Sequence, residues 1–135
     1  MIYLLDTNTC IRFLNRRHSP VKDRLAARSP ADIRLCSMVK AELYCGAYRS
    51  ARRDENLALL EEFFARVISL PFDDRAASVS GQIRAALSLT GQLIGPNDLV
   101  IAAIALVNEV TLVTHNVGEF GHVPGLIMED WEVPL

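Results

Sequence analysis

Cysteine is scarce in this chain, and its three copies, Cys10, Cys36 and Cys45, are odd in number and form no CxxC pair. That pattern argues against a disulfide framework and leads us to expect a reducing, cytoplasmic setting. Proline (6) and glycine (7) are sparse, so no linker, repeat or low-complexity tract divides the chain. The longest apolar run, Leu99 to Val107, is far short of the roughly 18–20 residues a membrane span needs, so no membrane association is expected. The opening Met1-Ile2-Tyr3-Leu4-Leu5-Asp6 lacks a basic flank and meets an acid after four apolar residues, unlike a signal peptide. The phosphate-cradling loops GxxxxGK(S/T) and GxGxxG are absent, as is the GxSxG nucleophile elbow. The three histidines, His18, His115 and His122, show no zinc-ligand spacing.

What is present suits one globular domain over residues 1–135. Half the residues are apolar, enough for a core that needs no staples. Net charge is only −2, but it is unevenly placed. Residues 1–53 hold eleven Lys/Arg against four Asp/Glu, and residues 54–135 hold three against twelve. Such asymmetry suits a polyanionic partner, and it equally suits exposed helix faces that are basic early and acidic late.

Short apolar runs alternate with helical periodicity. Ile2–Leu5, Ile33–Cys36, Val67–Leu70, Thr111–Thr114 and, more weakly, Leu126–Met128 read as strands. Thr7 or Asn8 can cap a helix after the first strand, and Ser37 one after the second. Val39, Leu43 and Ala47 share a helical face, as do Leu57, Leu60 and Phe64; Ala76, Val79, Ile83 and Leu87 form a longer stripe that stops near Gly91. Pro96 suits a first helical position, and the helix after it is apolar all round, which predicts a central, buried element. Alternating strands and helices predict an α/β fold with a parallel sheet covered on both faces. The active crevice of such sheets lies beyond the carboxyl ends of the strands.

Four acids fall at that end. Asp6 follows the first strand, Glu42 lies one turn into the helix after the second, Asp98 opens the apolar helix, and Glu119 follows the fourth strand. Each alone has an ordinary explanation; an acid such as Asp98 is favoured by about 0.3–1 kcal/mol at a helix amino terminus. Together they pose a problem. Two carboxylates about 4 Å apart repel by roughly 4 kcal/mol at an effective dielectric near 20, so the site must hold a proton or a cation. Oxygen donors select a hard divalent ion, Mg²⁺ or Mn²⁺, which can ready a water and neutralise charge on a phosphodiester.

Four ordered segments then carry a resemblance that spans nearly the whole chain. Leu5-Asp6-Thr7-Asn8, Ser37-x-x-Lys40-x-Glu42-Leu43-x-x-Gly46, Gly95-Pro96-Asn97-Asp98-x-x-Ile101-Ala102-Ala103 and Thr114-x-Asn116-x-x-Glu119-Phe120 resemble the motifs of PIN-domain nucleases. The tail from Val123-Pro124-Gly125-Leu126 to Glu129-Asp130-Trp131 is similar to the VapC toxins of toxin–antitoxin pairs. The resemblance implies a three-layer α/β/α sandwich with a short, mainly parallel sheet. It implies Mg²⁺, or Mn²⁺, held by Asp6 and Asp98, with Glu42 completing or bridging the site. Thr114 would orient Asp6, and Asn8 would support the strand-end turn. Many relatives carry Asp where this chain has Asn116, and Glu119 is expected to compensate, leaving one or two metal ions open. His115 stands where relatives often have Asn or Arg. The family further implies a homodimer, a VapB-like antitoxin, and an RNA substrate, expected to be initiator tRNA cut in its anticodon stem-loop. Arg12, Arg16, Arg17 and Lys22, with Arg24 and Arg28, could line an RNA path or face an acidic partner. The reading of a different class is a non-catalytic module of the same fold that binds RNA or a partner; a small-substrate phosphatase is a third.

Overall fold

The apolar run after Met1 becomes the central strand. In the computed structural model, which describes residues 1–134 and leaves Leu135 of the expected domain outside, β1 (Tyr3–Leu5) is buried along its whole length. A strand covered on both faces needs apolar side chains at successive positions, which Tyr3, Leu4 and Leu5 supply. Beside it lie β2 (Ile33–Cys36) and β4 (Thr111–Val113), with β3 (Ile68–Leu70) and β5 (Met128–Glu129) at the edges, in the order β3-β2-β1-β4-β5. All four pairings are parallel, so the sheet expected to be mainly parallel is wholly so. β5 starts two residues later than its apolar pattern suggested.

Helices α1 (Thr7–Leu14) and α2 (Pro20–Ala26) join β1 to β2, and α3 (Ser37–Arg49) and α4 (Arg53–Phe64) join β2 to β3. Helices α5 (Asp74–Thr90) and α6 (Pro96–Val107) cross back to β4, and one-turn α7 (Val117–Phe120) precedes β5. Right-handed crossovers put connections that run in opposite directions on opposite faces, which yields the three layers. The seven residues of α2 are too few to show a periodic stripe, and no helix was read there. The expected caps also shift by one residue. Asp6, not Thr7 or Asn8, caps α1, its carboxylate accepting from the Thr9 N–H; Cys36 precedes α3 without a side-chain cap, and Ser37 is already helical. Gly91 ends α5 in the left-handed region (φ 70°), where a Cβ would be strained.

The stripes read from sequence become the core. Val39, Leu43 and Ala47 of α3 are buried, as are Ala76, Ile83 and Leu87 of α5. On α4 the buried pair is Leu60 and Phe63, with Leu57 and Phe64 at its edge. Helix α6 buries Leu99 and then every residue from Ile101 to Ala105, its alanines letting the backbone approach its neighbours closely. Cys10 and Cys36 are buried and Cys45 exposed, all three free, and burial pushes the first two thiols up. No helix among the described residues is long and apolar enough to cross a membrane.

The segment from Glu129 to Val133 is fastened by one aromatic. Trp131 is fully buried, edge-on to Tyr3 with ring centroids 5.0 Å apart, and the Arg28 guanidinium lies 4.8 Å and 4.9 Å from the Trp131 and Tyr3 centroids. The Trp131 indole N–H donates to Glu129, and Arg24 donates to the Val133 carbonyl. Trp131→Ala should therefore cost about 3–5 kcal/mol in urea unfolding. A loss below about 1 kcal/mol would show that the tail is not part of the core.

Candidate active site

Asp6 sits where β1 stops and α1 starts, and both elements hold it. Its backbone N–H continues the sheet to the Val113 carbonyl at 3.1 Å, and its Oδ1 accepts the Thr9 N–H at 2.9 Å. The Thr9 hydroxyl donates to the same Val113 carbonyl. Asp6 is buried (6% exposed), so its second oxygen is the part that can face a ligand.

Glu42, one turn into α3, is drawn to the same end by α1 and α6. The Thr7 hydroxyl donates to its Oε1 at 2.6 Å, and the Asn97 amide approaches Oε2 at 3.4 Å. Asp98 follows Asn97 in the first turn of α6. Glu119, in α7, accepts the Gly95 N–H at 2.6 Å through one oxygen and the Asn116 amide at 2.8 Å through the other. Residue 116 therefore contributes no charge but fixes the acid that does. A Cβ on Gly95 would lie 3.6 Å from Glu119 Oε1 and 3.9 Å from Asp98 Oδ2, so both carboxylates converge on that turn.

Asp98 senses the other three acids. Burial raises the Asp98 carboxyl to about 6, and the charges of Glu119, Asp6 and Glu42 push it the same way. Glu119 moves oppositely, lowered by the Gly95 N–H and then the Asn116 amide. Of the two, Asp98 is the one that takes up a proton more readily. A half-buried acid raised first by burial and then by three neighbouring acids marks a pocket where negative charge is poorly solvated.

Among the described residues no three His, Cys, Asp or Glu side chains gather tightly enough to enclose an ion alone. Mg²⁺ does not require that, since it usually takes one or two carboxylates and keeps several waters. The donor set, all oxygen and overcharged, fits such a cation, with Asp6 and Asp98 able to hold it.

Other expected roles are redistributed. Thr114 is fully buried, but its hydroxyl accepts the Asn116 N–H at 3.0 Å and is not bonded to Asp6; the tight turn after β4 lies nearer. Asn8 makes no bond that braces the strand-end turn, which the Asp6–Thr9 cap already closes; it lines a cleft of about 520 Å³ with Asp6, Arg12, His115, Asn116 and Glu132. Arg16 and Arg17, in the loop after α1, and Lys22, on α2, do not line that cleft. Arg24 and Arg28 bind the chain's own tail instead. Reading from sequence missed Thr7, Asn97 and the Gly95 N–H, because their partners lie 24 to 55 residues away along the chain.

Asp98→Asn separates charge from packing. The folded state binds the Asp98 proton more tightly than the unfolded chain does, so ionisation above about pH 6 opposes folding. In EDTA at pH 7.5 the variant should be more stable than the parent by on the order of 1–2 kcal/mol, allowing for partial exposure, and the gain should vanish towards pH 4. Chemical denaturation at both pH values measures this; a destabilised variant at pH 7.5 would mean that Asp98 serves packing.

Comparison with known proteins bears on the family and the fold. The family model described as PIN domain matches residues 3–126. The chain is 35% identical over 133 residues to ribonuclease VapC2 of Rickettsia felis, spanning 98% of this chain and 99% of the relative. It is 37% identical over 131 residues to the tRNA(fMet)-specific endonuclease VapC of Salmonella typhimurium, spanning 96% and 97%. Among solved structures, DNA-bound VapBC from Salmonella typhimurium superposes with a TM-score of 0.90 at 36% identity, covering 97% of this chain and 98% of that one. VapBC2 from Rickettsia felis gives 0.88 at 34%, covering 97% and 99%. A buried parallel sheet, four acids at its carboxyl end and relatives matched along almost their full length place this chain in the PIN-domain family, with the VapC ribonucleases.

Proposed function

We propose that this chain is the toxin of a toxin–antitoxin pair and acts as a metal-dependent endoribonuclease on RNA. The observation that carries the reading is geometric: Asp98 and Glu119 meet at the Gly95 turn, Glu42 is tied to Asn97 beside Asp98, and Asp6 lies near enough to act on Asp98. The named ribonuclease and endonuclease activities of its relatives support the reaction class. The name of the Salmonella relative supports initiator tRNA as substrate, and its anticodon stem-loop is the site we assign.

Each residue has a definable task. Asp6 and Asp98 hold Mg²⁺, with Mn²⁺ able to substitute, and Asp98 gives up its proton before it can do so. When bound, the ion supplies a readied water and neutralises charge on the phosphodiester. Glu42, tethered by Thr7 and Asn97, completes the pocket from α3. Glu119, kept ionised by Gly95 and Asn116, supplies the remaining charge. The protein works as a homodimer, paired with a VapB-like antitoxin.

Two measurements test the reading. Asn is as good a helix cap as Asp, so Asp6→Asn removes the charge without loosening α1. Cleavage of initiator tRNA should fall at least about 100-fold in Asp6→Asn, and should stop in EDTA and return with Mg²⁺ or Mn²⁺. RNA binding without any metal-dependent cleavage would favour the non-catalytic module. Glu119→Gln should lower kcat more than Asn116→Ala, which disturbs only a supporting bond and should cost about tenfold. The opposite ranking would remove Glu119 from the reactive set.

A further inference from the structure

The cleft beside Asp6 also contains two basic side chains, Arg12 and His115, that the reaction as described leaves unused. Arg12 pairs through Nε with Glu132 at 3.3 Å, and His115 pairs through Nδ1 with Asp130 at 2.9 Å. In both pairs the acid is sunk, with side chains 19% and 17% exposed, and the cation stands out, at 56% and 61%. Both keep nitrogens in reserve: the terminal nitrogens of Arg12 and Nε2 of His115 have no partner among the described residues. The tail explains how both acids reach the cleft. Asp130 and Glu132 flank Trp131, whose ring is locked in the core, and Asp130 Oδ1 accepts the Glu132 N–H at 3.0 Å.

We propose that Arg12 and His115 form a seat for a backbone phosphate of the RNA next to the one that is cut, with Asp130 and Glu132 as positioning residues that aim them. This rests on the ribonuclease reading above. A phosphodiester matches the seat, because its two free oxygens can accept from an arginine fork and an imidazole N–H at once. RNA is the occupant we assign, since Asp6, a residue of the reactive set, lines the same cleft as Arg12 and His115. The hydrogen bond to Asp130, then the charges of Glu132 and Asp130, raise the His115 imidazole, which favours its cationic form against the smaller opposing effects of slight burial and Arg12. As a phosphate contact, the seat fixes where RNA lies without reading its bases.

Labelled initiator tRNA and the full chain suffice for the test. Binding is measured in EDTA across a salt series, and cleavage is measured in Mg²⁺. Arg12→Ala and His115→Ala should each raise KM about tenfold with kcat within about threefold, the loss expected for one charge-assisted contact. Each should also flatten the plot of log Kd against log salt by about 0.7–0.9, and Arg12→Lys should restore that slope. Asp130→Asn should lower the His115 midpoint in an NMR titration and raise KM without changing Tm, which a merely structural role would not do. Unchanged KM and salt slope in both alanine variants, beside a parent that cleaves, would overturn the seat alone. A fall in kcat at constant KM, or a loss confined to antitoxin binding, would also overturn it. A parent that neither binds nor cleaves RNA would take the ribonuclease reading down as well.

Discussion

Mutual repulsion among carboxylates is the constraint around which the rest of the structure is arranged. Asp6, Glu42, Asp98 and Glu119 come from four separate elements, and left in water they would stay apart. Three of them are restrained by uncharged donors: a helix N–H for Asp6, a hydroxyl and an amide for Glu42, a backbone N–H and an amide for Glu119. Asp98 has no such set, and burial together with the other three acids makes its carboxyl harder to ionise. The pocket is thus prepared for a cation by an excess of charge, and the core provides the rigidity to sustain it. An apolar α6 and a strand buried on both faces cannot relax away from the strain without opening the interior.

The uneven charge of the sequence finds part of its explanation inside the molecule. The basic first third and the acidic tail meet: Arg12 pairs with Glu132, Arg24 holds the Val133 carbonyl, and Arg28 lies over Tyr3 and Trp131. Such contacts are individually modest at a surface. Their position matters more, because Trp131 anchors the tail and so sets where Asp130 and Glu132 stand at the rim of the cleft. A hydrophobic contact thereby determines the placement of charge near the reactive end of the sheet.

The backbone plan was legible because its signals are local. Consecutive apolar residues at Tyr3–Leu5 and Thr111–Val113, the stripe on α5 with Gly91 behind it, and Pro96 before an apolar run each specify an element within a few residues. Their alternation implies a parallel sheet, and the sheet implies where acids would gather; Asp6, Glu42, Asp98 and Glu119 were found in that way. The motif spacing carried the family. Cap positions were legible only to within a residue, since Asp6, Thr7 and Asn8 are all competent caps and the strand's register selects among them.

Partnership was decided by tertiary structure alone. Nothing near Thr114 in sequence tells that its hydroxyl serves Asn116 and not Asp6, and nothing near Glu42 announces Thr7. Nor does sequence reveal which basic residues would turn towards the cleft and which towards the tail: Arg12 reaches the first, Arg24 and Arg28 the second. The physical reason is range. Periodicity and capping act over one or two turns and are written in neighbouring residues. A hydrogen bond or charge pair acts over about 3 Å of space between segments that chain order leaves far apart, and only the packed core brings them within reach.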